Sequence, residues 1–541
     1  MASEHIDRYA SRIEEYRSVM LATPSKDSVC SRAKFGNEYD RKNISDFCKK
    51  AEQKDGNADF NIISLIRLLY DTNLPDDIKS EIYAALSDFV FWPHDAHDGE
   101  KLQKIVYWSE NHTLMLLSSA ILLRQRLKME GDERNICPTD LEHHLLLCFL
   151  RAHVECSTKG VYEVLSFVYL PYTLCALLNI VDFCADEELV ALATQLADIV
   201  VTQMMQVTTS SGVCSLAAAA RTYRRFRLRT FGHAVNHFVY CMTGKHPDAP
   251  LEDASVPGVK PSTGAVVASA NAVRPAESVR VSEGRTDQGT VLAGEDEDYQ
   301  QHPHSPGGSN SNNTAGVGVD GNRNRAALQP SRLGDFICTT EKYAPPAEAF
   351  EAFSQQGFRQ IECNPSLADM HAYFKQYIPP KSLSGVSEGG SIDRTVLQDE
   401  MLPFFWSAGL LVHPHYASQT KEYVARLNLG RNVHLWPLAW LSGGVTRYLS
   451  NSLESWAAGQ CYIDIKLNIY KDHRLVLSSF EKFNGGTIGY QQMPWMINLD
   501  GVGIWSQSGK GSENIGGFDV TNTHTPVVSQ KHHVLVVAFS T

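Results

Sequence analysis

From about residue 45 to 245 apolar residues recur at three- and four-residue spacing, the period of a helix with one buried face. Asp59–Asp71 (DFNIISLIRLLYD) and Asp76–Phe91 carry this pattern. Thr113–Met129 is apolar on most sides, which predicts a buried helix, with Ser109 placed to cap its start. Leu141–Glu155, Tyr172–Phe183 and Glu187–Val207 follow, separated by short polar or glycine breaks. Repeated antiparallel helices on short connections predict an α-hairpin bundle, toroid or solenoid. No fixed-period repeat is visible, which disfavours the common solenoid families.

The texture then changes twice. Residues 246–331 are rich in Gly, Ser, Asn, Pro and Ala, too polar to bury a core, and are expected to be a disordered insert. Pro346–Tyr377 reads as partly helical and Leu402–Leu427 as helical around a proline break. From Cys461 the alternation shortens to two: CYIDIKLNIYKD, then LVLSSFEKF, then a glycine-punctuated run, with VVSQKHHVLVVAFST closing on a strand. Such an ending suits a sheet edge or a truncated chain. The expected organisation is a multidomain α+β protein. Residues 1–245 form the helical part, 246–331 the insert, 332–460 a mixed, mostly helical segment completing the helical part, and 461–541 a β-rich domain.

Composition narrows the function classes. Hydrophobic residues are 43% and charged residues 20% of the 541, as in a globular protein. A net charge of −12 argues against general affinity for nucleic acid or anionic membrane. The first twenty residues lack an apolar secretory core, and no run approaches the ~18 uncharged apolar residues of a membrane span. Twelve cysteines without CxxC spacing read as reduced core residues. The cytoplasm is therefore the expected location, or the exterior if a leader is missing from this chain.

Three strings carry candidate chemistry. Trp108-Ser109-Glu110-Asn111-His112 gathers a carboxylate, an amide and an imidazole at a helix start, where backbone N–H groups favour anions. The same residues also suit capping and loop bonding. The segment from Gly160 to Thr173 places Glu163, Tyr162, Tyr169 and Tyr172 near a proline break, facing a shared cleft or packed at a core rim. Arg221, Tyr223 and four further arginines up to Arg229 form a basic string able to grip carboxylates or sulfates, or to pair with the protein's own acids. Further along, His413, His415, His434 and Trp436 are polar or stacking candidates, and Trp406, Trp440 and Trp495 are possible sugar platforms or core residues. No carboxylate or cysteine cluster accompanies the histidines, so no metal site is expected. No phosphate-loop, dinucleotide, zinc-protease or hydrolase-elbow pattern occurs.

The order of these strings, WSENH, GVYEVLSFVYLPYT, LLNIVDFCADEELVALATQLAD and AARTYRR, resembles a little-characterised family of (α/α)-toroid proteins grouped with heparinase II/III-like polysaccharide lyases. The C-terminal run from LSSFEKF to HHVLVVAFS is similar to that family's β-sheet segment. The resemblance spans residues 55–245 and 333–541. It implies a toroid followed by an antiparallel β-sandwich-like domain, a polysaccharide or oligosaccharide partner, and no cofactor. It also implies β-elimination on a uronic acid. Asn111 and His112 would then neutralise the substrate carboxylate, Tyr169 or Tyr172 would act as base and acid, and Arg221 with Tyr223 would hold the sugar acid. Glu110, Glu163, His413, His434 and Trp436 complete the expected substrate contacts. Two alternatives remain beside it. One is a glycoside hydrolase using two of Glu110, Glu163 and Asp182; the other is a non-catalytic toroid serving as a carbohydrate-binding or protein-interaction scaffold.

Overall fold

In the computed structural model the first half of the chain is helical from its start. Helix α1 spans Ala2–Ala22, α2 Val29–Gly36, α3 Arg41–Glu52, α4 Asp59–Leu69 and α5 Asp76–Ser87. They are followed by α6 (Glu110–Met129), α7 (Asp140–Glu155), α8 (Leu170–Phe183), α9 (Glu187–Gln206) and α10 (Ala234–Thr243). The structure describes residues 2–93, 105–107, 109–131, 140–156, 160–222, 233–245, 328–364, 366, 368–370, 372, 402–408, 416–427, 464–481, 491–506, 513–515, 518–520 and 525–539. All of these belong to one compact unit.

Helices expected from periodicity lie where the pattern puts them. Helices α1 and α2 lie ahead of residue 45, where the periodic pattern begins, and α3 straddles its start. Helix α1 mixes charges along its length, yet Tyr9, Ile13, Tyr16 and Met20 fall on one face and are buried. Asp40 caps α3 by accepting from the Asn43 backbone N–H at 3.1 Å. Among the described residues α9 is the one helix long and apolar enough to cross a membrane. Its Leu189, Leu192, Ala193, Leu196, Ala197 and Val200 form a buried stripe of core-helix type.

Leu328 is buried and residues 328–331 lead directly into the next helix, although they fall in the segment expected to be disordered. Ser331 caps α11 (Arg332–Thr339) through the Gly334 N–H, and α12 (Ala347–Ser354) comes next. Two shorter helices, α13 (Leu402–Ser407) and α14 (Ala417–Arg426), mark the segment expected to be helical around a proline break. Helix α11 is built into the first half: Asp335 accepts from the backbone N–H groups of Cys30 (3.0 Å) and Ser31 (2.7 Å) at the start of α2. Burial pushes the Asp335 carboxyl above its usual range, and those donors oppose the shift.

Four helices share one direction. Asp59 at the start of α4 bonds His112 at the start of α6, while Tyr70, just past the end of α4, donates to the Leu122 carbonyl late in α6. Phe60 meets Tyr172 near the start of α8, and Arg67 meets Asp182 near its end. Arg332 at the start of α11 donates to the Phe60 carbonyl, and Arg67 to the Thr339 hydroxyl at its end. The N-termini of α4, α6, α8 and α11 therefore gather at one end of the packing, and with them the positive ends of their dipoles.

The C-terminal part is antiparallel. Strands β1 (Gly357–Glu362), β2 (Lys466–Lys471), β3 (Leu475–Glu481), β4 (Trp495–Leu499) and β5 (Val502–Ile504) form one sheet in that order. Strand β1 comes from the stretch expected to be mostly helical. Its alternation is weak because no residue in it is fully buried, so its pairing with β2 decides its conformation. Hairpins β6–β7 (Glu513–Ile515, Phe518–Val520) and β8–β9 (Val527–Lys531, Val534–Ala538) follow. Ile465, Leu467, Ile469, Val476, Phe480 and Met493 join the same hydrophobic cluster as the helices, so one core serves both parts.

Candidate functional site

The gathered helix starts bring most of the expected residues together. The site forms from the start of α6, the loop 160–169 leading into α8, and the segment 219–222. Backbone bonds lay the last of these along the β part: Ala219 and Met493 exchange bonds of 3.1 and 2.9 Å, and Thr222 N–H donates to Gln491 at 2.7 Å. Ala220 N–H donates to the Val164 carbonyl, and the Asn364 amide to that of Tyr162. Gly160 begins the loop at φ +113°, a conformation suited to glycine, and a Cβ there would lie 2.9 Å from Gln203 Nε2.

Glu110 is the anchor of the loop. Its carboxylate accepts from Tyr162 N–H at 2.6 Å, from Glu163 N–H at 3.0 Å, and meets His153 Nε2 at 2.6 Å. The other ring nitrogen of His153, Nδ1, donates to the Phe149 carbonyl at 2.7 Å. Glu110 and His153 are both buried, and every oxygen of the carboxylate is engaged, so this pair holds backbone in place.

His112 is arranged differently. Its Nδ1 lies 2.5 Å from Asp59 Oδ2, and the Phe60 ring meets the imidazole edge-on at 5.0 Å. Nε2 has no hydrogen-bond partner among the described residues. A buried carboxylate that fixes the tautomer and ring orientation while leaving the second nitrogen available is the geometry of an imidazole acting as base or acid.

Arg221 pairs with the loop at Glu163. Its Nη1 donates to Glu163 Oε1 at 2.5 Å and its Nε to Gln491 Oε1 at 2.7 Å, with the guanidinium 4.6 Å from the Tyr169 ring centre. Burial raises the Glu163 carboxyl above its usual range; Arg221 opposes this, Glu110 adds to it, and His112 also lies within electrostatic reach. Arg221, Tyr169 and Tyr172 are half-buried, so the cluster meets solvent on their side. Asp59 Oδ1, Asn111 Nδ2 and Ser166 Oγ are among the buried polar atoms that have no partner among the described residues. The other end of the Asn111 amide accepts from Ser109 Oγ at 2.8 Å. Buried groups left without protein partners are costly, and a bound polar group or solvent would satisfy them.

Of the expected residues, Glu110, Asn111, His112, Glu163, Tyr169, Tyr172 and Arg221 are thus brought to one region. Tyr223, His413, His434 and Trp436, with Trp108 and Trp440, lie outside the described residues. Asp182 is elsewhere, at the far end of α8, where it takes Arg67 Nη2 at 2.5 Å and Thr340 Oγ1 at 2.8 Å. Trp406 and Trp495 are buried, with their indole N–H groups bonded to Thr420 and Ser506, which makes them core residues and not sugar platforms. The ten described cysteines are all buried. Among the described residues no group of three metal-ligating side chains forms. Asp59, His153 and Gln491 were not expected; Asp59 looked like an ordinary acid in a helix's first turn.

No family model matches the chain, and neither a curated protein nor a solved structure does. The chemistry of the cluster is therefore the basis for assigning a function.

Proposed function

We propose that this protein is a carbohydrate-active enzyme of the (α/α)-toroid type that cleaves uronic-acid-containing glycans by β-elimination. The observation that carries the proposal is the Asp59–His112 pair, whose Nε2 has no partner among the described residues, in one cluster with the Glu163–Arg221 pair and the Asn111 Nδ2 group. Parallel α4, α6, α8 and α11 support a toroid whose inner helices share a direction. Gln530, which joins β8 to β3 through Ser479 and the Leu477 carbonyl, supports a second β layer on the sheet.

In this reading His112 Nε2 removes the proton α to the substrate carboxylate, and a double bond forms as the glycosidic C–O bond at the β carbon breaks. The hydroxyl of Tyr169 or Tyr172 hands a proton to the departing oxygen. Asn111, Arg221 and the converging helix N-termini stabilise the charge that builds on the carboxylate. Asp59 positions the imidazole.

A specific observation favours a second reading, a non-catalytic scaffold. Glu110 is saturated by three partners, and Arg221 is engaged by Glu163 and Gln491, as in a structural network. The hydrolase alternative is weakened by the distant bonding of Asp182. The test is ultraviolet absorbance of the unsaturated-uronate product, with heparan sulfate, chondroitin, hyaluronan, alginate and pectate offered in turn. Product from the wild type and none from folded His112→Gln supports elimination. A flat trace from folded wild type on every polymer refutes it.

A further inference from the structure

Among the described residues, Asp59, Glu110 and Glu163 bring three carboxyl groups to the site, beside the guanidinium of Arg221 and the imidazoles of His112 and His153. Each group is committed internally: Asp59 to His112, Glu110 to His153 and two backbone N–H groups, and Glu163 to Arg221. The groups facing Glu163 are Arg221 from segment 219–222, Glu110 and His112 from α6, and the neutral Gln491 behind Arg221. Glu163 itself is 3% exposed, and its backbone N–H donates to Glu110, which fixes the main chain beneath a carboxyl already shielded from water.

We infer that an anionic ligand binds at Arg221 together with one proton, which Glu163 takes up as the ligand's carboxylate replaces it as the counter-ion of the guanidinium. This rests on the proposed function and adds its coupling to pH. A buried carboxylate stripped of its partner is strongly disfavoured, and protonation removes the charge without moving the side chain. Glu163 is the group suited to it: burial already favours its neutral form, and the nearby Glu110 pushes in the same direction. The proton comes from the buffer, so no other reactant is needed. A neutral sugar leaves the Glu163–Arg221 pair intact and binds without proton uptake. Affinity for an anion should therefore fall as pH rises, by up to about ten-fold per unit.

The test is isothermal titration of the full chain with glucuronate and galacturonate, and with glucose and galactose as neutral counterparts, in phosphate and in Tris at pH 7. The expected result is a uronate heat that differs between buffers by an amount equivalent to nearly one proton taken up, with no such difference for the neutral sugars. Glu163→Gln should abolish the uptake and bind uronate as well at pH 8 as at pH 7, while His112→Gln should keep the uptake. Uronate binding with equal heats in the two buffers overturns the inference, and needs no variant to show it. So does uptake that survives Glu163→Gln or vanishes in His112→Gln. Elimination activity without proton uptake would sink this inference alone; absence of both uronate binding and elimination would sink it along with the function it rests on.

Discussion

Lys471 offers a quantitative test of the way the helical and β parts are joined. It lies at the end of β2, 4% exposed, and its ammonium donates to the carbonyls of Phe353 (2.6 Å), Met205 (3.2 Å) and Ala352 (3.4 Å) at the C-termini of α12 and α9. Burial pushes its pKa down from 10.5 to about 7, and Arg359 adds to the shift. A lysine depressed on folding sheds its proton in the folded chain between these values while the unfolded chain keeps it. Stability therefore rises with pH from about 7 to 10.5 and is level below that window. Each full unit is worth about 1.4 kcal/mol, and with the folded lysine half-titrated at pH 7 the gain between pH 7 and pH 9 reaches about 2 kcal/mol. The three carbonyls and two helix C-termini favour the charged form, which makes this figure an upper bound. Lys471→Met keeps the length of the stem and removes the proton. Urea midpoints of wild type and variant, taken at pH 6, 7, 8 and 9, isolate the effect, because other titrating groups cancel in the difference. The wild type should gain on the variant only above pH 7. A difference that stays constant across the series would refute the reasoning.

Other perturbations follow from the same packing. Asp182→Ala should cost about 3–5 kcal/mol in unfolding by denaturant, because it leaves the Arg67 guanidinium buried and unpaired, whereas Arg67→Met with Asp182→Leu should recover most of the loss. Gly160→Ala forces a Cβ against Gln203 at a positive φ and should lower stability by about 1–3 kcal/mol in thermal melts. Glu110→Ala removes the acceptor for two backbone N–H groups and His153; it should destabilise by more than Glu110→Gln, which keeps one acceptor oxygen.

Much of the helical part was legible because its period is local. The all-round apolar α6 announced its burial, and the WSENH, YEVLS and ARTY strings marked the segments that supply Glu110, Glu163, Tyr169 and Arg221. What periodicity cannot carry is pairing across long separations. Asp59 finds His112 over 53 positions, and Arg221 finds Gln491 over 270. Nothing in DFNIISLIRLL distinguishes an acid that orients an imidazole from one that favours a helix dipole. Helix α1 was missed because charged residues outnumber its few buried ones, and its helical face is set by α10 and α11 packing on it. Strand β1 was missed because its conformation comes from pairing with β2, more than a hundred positions away.

The most direct measurement of the central claim is elimination by wild type, Asp59→Asn and His112→Gln, assayed side by side over a pH series on the glycan that gives product. If Asp59 orients His112 as the base, Asp59→Asn should fold and bind normally, lose on the order of a hundred-fold or more in kcat, and shift the pH profile, with His112→Gln lower still. Wild-type-like rates and an unchanged pH profile in both folded variants would contradict the account.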